Sequence, residues 1–426
     1  MLKKSDFLIV ENNNYFYVFY KNNLSIKKLD KSNYTKFQSI INKLDDMTNY
    51  ELKSFENYIN NTFVSKKHKK STNLKRTDYL SKLEIILNNK CNLACKYCYA
   101  NGGDYNQEKN DIKPEKIGYL VSKIIPKYFS KVGTVMFFGG EPLLSFETIK
   151  QTVKEFEFLY NSMLIKTIPR FTIVTNGTLI TKEIAEFFNE NNFYVTISID
   201  GESYIHNILR PFKNGEGSFN KVNDAIFLLR RHNVNIQLLE VTYTKLHIDN
   251  NISKTDIESF LKNKYGDIKI FISDCIGDSE YSIDEKCINN SEISYNKQVK
   301  LATLRAVLGK EYKRNYCDAG LESIAITPLG KIIPCHFFMG YSKYIIGDLN
   351  KSNIFYSNYD QLADFFDNLK TYYISECSKC WIKDMCSECP ASLLIYNKDN
   401  KLEHCEEKRR IRAYIIRDLI RIGEIY

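Results

Sequence analysis

The stretch "CNLACKYCYANGG", residues 91–103, sets three cysteines at 91, 95 and 98 within a single short segment. Three thiolates so close together suit a soft metal. Structural zinc takes four protein ligands, and this spacing offers three, which leaves one coordination position free. The segment follows "KLEIIL" (82–87), an apolar run of strand length, after three residues, so the thiols come past the C-terminal end of a strand.

Further strand candidates are "GTVMFF" (133–138), "RFTIVT" (170–175), "FYVTISI" (193–199), "VNIQLLEVTY" (234–243) and "IKIFIS" (268–273). Helical patterns lie between them, for example "PEKIGYLVSKIIPKYF" and "FNKVNDAIFLLRRH". Six βα units in series predict a parallel sheet with helices outside, open or curled toward a barrel. Chemistry in such folds gathers at the C-terminal ends of the strands. The distinctive motifs all fall there: "CNLACKYC" after the first strand, "GGEP" after the second, "TNGT" after the third and "DG" after the fourth.

The chain has 426 residues, 43% of them hydrophobic and 26% charged, which suits a soluble protein of two or three domains. No run of about 18 apolar residues is present, so no membrane span is expected. The N-terminal stretch has no small-residue cleavage site after its apolar run, and a cytoplasmic location is expected. Twelve cysteines in a reducing compartment point to metal or catalysis rather than disulfides. Much of the net charge of +9 lies in "SKKHKKSTNLKR" (65–76), which reads first as a solvated linker and second as a docking surface for an acidic peptide. No recognition helix or stacking-aromatic motif goes with it, so no nucleic acid is expected. Before it, "DFLIVEN" and "YFYVFYKNNLSIKKL" read as strands, and "NYTKFQSIINKLDD" and "NYELKSFENYIN" as short helices.

Cys91-x3-Cys95-x2-Cys98, with Tyr97 before the last cysteine, resembles the signature of radical S-adenosylmethionine (SAM) enzymes. The resemblance implies a 4Fe–4S cluster whose open iron is chelated by the amino and carboxylate groups of SAM, and cleavage of SAM to a 5′-deoxyadenosyl radical. On the same resemblance, Gly139, Gly140 and Glu141 of "GGEP" receive the amino group. Ser198 in "SIDG" and Arg210 in "HNILRPF" bind ribose and carboxylate, and Tyr97 lies along the adenine. The implied fold is a partial (βα)6 TIM-like barrel over 80–300, preceded by a small α+β domain over 1–70.

A second array follows: Cys317-x12-Gly330-x4-Cys335, Cys377-x2-Cys380-x5-Cys386-x2-Cys389, and Cys405. Two CxxC pairs alone would suit a four-cysteine zinc site. The whole array resembles the SPASM domain of peptide-modifying radical enzymes, here over 314–426, with x2 where the usual gap before Cys389 is x3. It implies two auxiliary 4Fe–4S clusters, three clusters in all. Cys377, Cys380, Cys386 and Cys405 would hold the outer one, and Cys317, Cys335 and Cys389 the inner one. The inner cluster's fourth position is open to a substrate thiolate, or filled by Cys275 or Cys287.

Sulfatase-maturating relatives place an Asp base directly after the cysteine equivalent to Cys335; here His336 stands there, as a candidate base or a donor to the cluster. "PCHFFMG" and "CYANGGDY" resemble thioether-forming maturases of cysteine-rich ribosomal peptides, of the ranthipeptide or sactipeptide type. The resemblance implies an oxidoreductase that forms sulfur-to-carbon crosslinks. Its partners would be a precursor peptide, whose leader docks on residues 1–70 in the manner of a winged-helix domain, and an electron donor such as flavodoxin or ferredoxin. The alternatives are carbon–carbon coupling, formylglycine formation, and a non-catalytic zinc or iron–sulfur scaffold.

Overall fold

The computed structural model describes residues 2–63, 78–275, 279–283, 297–309, 319–351, 354, 380–383, 385–386, 389, 391 and 401–425. The basic stretch 65–76 and Cys287, Cys317 and Cys377 fall outside them. The chain forms two compact units: Met1–Leu74 with Ile293–Cys317 and Asp364–Tyr426, and Lys75–Glu292 with Asp318–Ala363. The breaks after Leu74 and Cys317 lie near the boundaries expected at 70 and 314, but the segment expected as one C-terminal domain is divided between the two units, and the packing inside each gives the reason.

The first unit is built on a three-stranded antiparallel sheet in the order β1 (Phe7–Asn12), β2 (Tyr15–Tyr20), β3 (Ser25–Leu29). Asn13 and Asn14 both take positive φ, 50° and 63°, as a two-residue hairpin of this hand requires. The second of two helices, Asn49–Thr62, opens with a reciprocal cap between Thr48 and Glu51. Both faces of the sheet are apolar. Phe7, Val18 and Tyr20 pack on Phe37, Phe55 and Ile59 from the helices. Leu8, Val10, Tyr17 and Phe19 pack on Ile415, Ile416, Leu419 and Ile420 of the helix Lys401–Arg421, together with Ile382 and Met385. Each such buried aliphatic side chain contributes about 1.5–3 kcal/mol, so the C-terminal helix is integral to this unit. Asn12 fastens the two, its Nδ2 donating to the carbonyls of Ile420 and Arg421 at 3.1 and 3.0 Å. Trp381, next to Cys380, sits edge-on to Phe19 with ring centroids 6.3 Å apart and Lys21 over its face.

The second unit is an open partial barrel. Its parallel strands are β4 (Tyr79–Ile86), β5 (Lys131–Phe138), β6 (Arg170–Thr175), β7 (Tyr194–Ser198), β8 (Asn235–Tyr243) and β9 (Ile270–Asp274), hydrogen-bonded in chain order. All six match the predicted strands within a few residues. The sheet continues past β4 with β10 (Ser323–Ile326), parallel to it, and the antiparallel β11 (Lys331–Ile333) and β12 (Gly347–Asp348). The β10 pairing is why Asp318–Ala363 folds with the barrel. Along β4, Leu83, Ile85 and the following Leu87 face the core beneath the helices, so Lys82, Glu84 and Ile86 face the barrel interior. The predicted helix from Pro114 breaks at a π-helical turn, Leu120–Ile124, just before Pro126, which has no N–H to continue the ladder. Among the described residues, no helix is long and apolar enough to cross a membrane.

Candidate functional site

The loop after β4 carries Cys91, Cys95 and Cys98, all unpaired and half-buried. Its backbone is pinned to the segment after the helix Ser203–Leu209: Ala94 N–H donates to the Pro211 carbonyl at 2.8 Å and Lys96 N–H to Leu209 at 2.9 Å. On the other side it meets "GGEP". Glu141 N–H donates to the Lys90 carbonyl at 2.7 Å, and Asn88 Nδ2 donates to the Glu141 carbonyl at 3.0 Å. This approach needs glycine. A Cβ on Gly140 would lie 2.2 Å from the Lys90 oxygen, and Gly139 has φ 148° with the Asn88 carbonyl 2.6 Å from where its Cβ would be.

Glu141 is fully buried. Oε1 accepts from Leu143 N–H at 3.0 Å and from the Thr175 hydroxyl at 2.7 Å, and Oε2 accepts from Asn176 N–H at 2.8 Å. Burial still raises its pKa above the ordinary carboxylate range, although these donors and Arg210 pull the other way. The "TNGT" motif therefore places Glu141, and Asn176 Nδ2 also lies 3.8 Å from Cys91 Sγ. The position of this motif after a strand is legible in the sequence, but its task is not.

Opposite stands a second cluster. Arg210 Nη1 donates to the Tyr97 hydroxyl at 2.6 Å, and that hydroxyl donates to Asp200 Oδ2 at 2.5 Å. Asp200 is fully buried, and its Oδ1 accepts from Thr242 N–H at 3.0 Å. Two buried histidines brace it: His206 Nδ1 accepts from Asp200 N–H, and His247 Nε2 meets the Asp200 carbonyl at 3.1 Å. Burial lowers both pKa values, that of His206 to about 4, so these rings are neutral struts. Ser198 ends β7 nearby. Of "SIDG", it is Asp200 that organises the cluster; its signal was an acid directly after an apolar strand.

Burial raises the Cys91 pKa and pushes that of Cys95 up to about 12. Without a cation these thiols stay protonated, and a metal bound there would supply the missing charge. Among the described residues no three His, Cys, Asp or Glu side chains converge on a single metal ion. SAM presents an ammonium and a carboxylate, and the site holds a group of complementary charge for each. Among the described residues, Glu141 is a buried carboxylate with no ion-pair partner and Arg210 Nε is a buried donor with no acceptor.

Residues 85–259 match the radical SAM superfamily, and residues 317–381 match the iron–sulfur cluster-binding SPASM domain. The chain has a radical SAM domain and a SPASM domain. It is similar to the cysteine-type anaerobic sulfatase-maturating enzyme of Clostridium novyi, 36% identical over 40% of this chain and 46% of that one. It is also similar to the radical SAM cyclopropyl synthase TigE of Paramaledivibacter caminithermalis, 26% identical over 62% of this chain and 59% of that one. The chain thus spans about half the length of these curated relatives. Among solved structures, anSMEcpe with bound AdoMet superposes with a TM-score of 0.62 at 21% identity, over 80% of this chain and 99% of that one. Streptococcus suis SuiB bound to the precursor peptide SuiA gives 0.52 at 15%, over 92% and 96%. These likenesses establish the fold: a radical SAM partial barrel followed by a SPASM domain.

Cys335 follows β11 within the barrel unit, while Cys380, Cys386, Cys389 and Cys405 belong to the other unit, where Cys380 and Cys386 border the core. Cys275, directly after β9, is a buried thiol 3.8 Å from the Ser282 hydroxyl. His336, after Cys335, reaches Glu84 inside the barrel, Nδ1 to Oε1 at 2.6 Å. Glu84 is a partner that the sequence did not reveal.

Proposed function

We propose that this radical SAM protein is a maturase of a ribosomally made, cysteine-rich peptide and joins cysteine sulfur to carbon. The observation that carries the enzymatic reading is the pair of groups beside the thiol loop, the buried Glu141 carboxylate with no cationic side chain paired to it and the Arg210 Nε donor with no acceptor, both among the described residues. When bound, a 4Fe–4S cluster on Cys91, Cys95 and Cys98 together with SAM supplies one-electron, hydrogen-abstracting chemistry there. The chain's own work is to orient. Glu141 takes the ammonium, Arg210 the carboxylate, and Tyr97, its hydroxyl fixed between Asp200 and Arg210, forms a wall of the cofactor pocket. Cys317, Cys335 and Cys389 hold an inner auxiliary cluster, and Cys377, Cys380, Cys386 and Cys405 an outer one.

Several relatives are named sulfatase-maturating enzymes, and the sulfatase-type alternative, formylglycine formation, needs a base to take a proton from the oxidised intermediate. Here the residue after Cys335 is His336 and not an acid. Mass spectrometry of the matured peptide should show the loss of two hydrogens for each crosslink, with the participating cysteines resistant to alkylation even after reduction. A loss reversed by reductant would be a disulfide and would defeat the claim. A crosslink that leaves every cysteine free to alkylate would mean carbon–carbon coupling.

The leader of the peptide docks on the N-terminal sheet by adding a strand to β3, which among the described residues pairs only with β2. SuiB, of similar fold, has been solved with a precursor peptide. Exposed Lys27 and Lys28 on β3 suit an acidic leader. Replacing both by Glu should weaken peptide binding several-fold and remove much of its salt dependence, because exposed charges are screened over about 8–10 Å. Unchanged affinity at low salt would refute this docking edge.

A further inference from the structure

The buried carboxylates of the barrel have donors. Glu84 meets His336 Nδ1 at 2.6 Å, Asp200 takes the Tyr97 hydroxyl and Thr242 N–H, and Glu141 takes three donors. Glu240 on β8 differs: among the described residues its carboxylate makes no hydrogen bond and no ion pair. The strand sets its direction. Leu239 and Val241 are fully buried in the core beneath the helices, so Glu240 between them points into the barrel. Its register partners are Ser198 on β7 and Phe271 on β9. Ile270 and Ile272 pack on the helix-side core, so Phe271 also faces inward, and it is half-exposed. β9 is the last strand of the sheet, so Glu240 and Phe271 stand beside the open side of the partial barrel. Glu240 is half-buried. Burial raises its pKa, and Arg210 and His336 are near enough to pull the other way. A carboxylate so placed loses hydration without gaining a partner, a cost that an incoming cation would offset.

We propose that Glu240 and Phe271 form a subsite for a lysine or arginine side chain of the peptide substrate, which fixes the part of the peptide presented to the cofactor. The proposal rests on the reading of the protein as a peptide maturase. The aliphatic stem of either side chain would lie along the Phe271 ring, and its charged head would donate to Glu240. The protein's own cations are committed elsewhere. Arg210 Nη1 is 2.6 Å from the Tyr97 hydroxyl and 3.8 Å from Asp200, and Lys82 lies 3.5 Å from Glu84. The same carboxylate would repel an acidic side chain, so the subsite selects by charge in both directions. Ser198, in register with Glu240, is the residue expected at the SAM ribose, so a side chain held on Glu240 brings its neighbours in the peptide beside the cofactor.

The test uses the full chain, reconstituted anaerobically and saturated with SAM, and a displayed library of random peptides with a fixed cysteine. Wild type should retain peptides enriched in Lys and Arg near that cysteine. Glu240→Gln should lose the preference, and Glu240→Lys should turn it toward Asp and Glu. In the best peptide retained by wild type, replacing its cation by Met should weaken binding to wild type about tenfold, the worth of one charge-assisted hydrogen bond. The same replacement should cost little against Glu240→Gln, because the two groups act through each other. Equal losses against both enzymes would overturn the proposal, as would retention by wild type without regard to Lys or Arg. SAM affinity and iron content of Glu240→Gln are measured alongside. Weakened SAM binding would make Glu240 a cofactor ligand, and lost iron would make it structural; either overturns the subsite. A wild type that retains no peptide defeats the maturase reading and the subsite with it, whereas retention without charge preference defeats the subsite alone.

Discussion

Replacing Cys91, Cys95 and Cys98 together by alanine should remove about a third of the iron and all cleavage of SAM to 5′-deoxyadenosine, if each cysteine group holds one four-iron cluster. The groups hold three, three and four cysteines, so reconstituted wild type should bind roughly twelve irons. The loop itself should survive. Its backbone is held by hydrogen bonds to Pro211, Leu209 and Glu141 that do not involve the thiols. The remaining iron should therefore stay at about two-thirds, since the other seven cysteines are untouched. Iron analysis and quantification of 5′-deoxyadenosine check this. Retained cleavage in the triple variant would defeat the assignment of the site, and zinc in place of iron in the wild type would defeat the enzymatic reading altogether.

Gly140→Ala should be nearly as severe, for a steric reason. The added methyl would meet the Lys90 carbonyl oxygen at 2.2 Å and its carbon at 2.4 Å. Both are backbone atoms immediately before Cys91, so relief must move the thiol loop. We expect a loss of about 2–3 kcal/mol in stability, as for overpacking elsewhere, and loss of SAM binding. Gly118→Ala is the control: there the nearest atom is Glu155 Oε1 at 3.3 Å, the end of a flexible side chain. It lies in a helix, where Ala is preferred by about 1 kcal/mol. Thermal unfolding and equilibrium binding of SAM to the two variants measure the contrast. Normal SAM binding by Gly140→Ala would show that the loop yields without consequence.

The barrel strands were legible because each is an apolar run bounded by turn residues. The three-thiol loop was legible because its spacing leaves a metal one ligand short. Glu84 was not. In "KLEIIL" a lone Glu reads as a solvent-facing position of a half-buried strand, and period alone cannot tell a polar barrel interior from solvent. Asp200 and Asn176 escaped for a related reason: their work is to hold other site residues, and such contacts join positions far apart in the chain. The unit boundaries did leave a trace. "YFYVFY" in β2 has no polar alternation, the mark of a strand covered on both faces, and the second cover proved to be the C-terminal helix.

Trp381 is the only tryptophan of the chain, and it lies against Phe19 and under Lys21, one residue from Cys380. All indole emission thus originates at one point, where the N-terminal sheet meets the cysteine-bearing turn. An iron–sulfur chromophore assembled on Cys380 would quench that light by energy transfer, and a strand added along β3 would shift its colour through the shared core. If Cys380 holds a cluster and β3 takes the leader, one label-free optical signal would follow both events in the same cuvette.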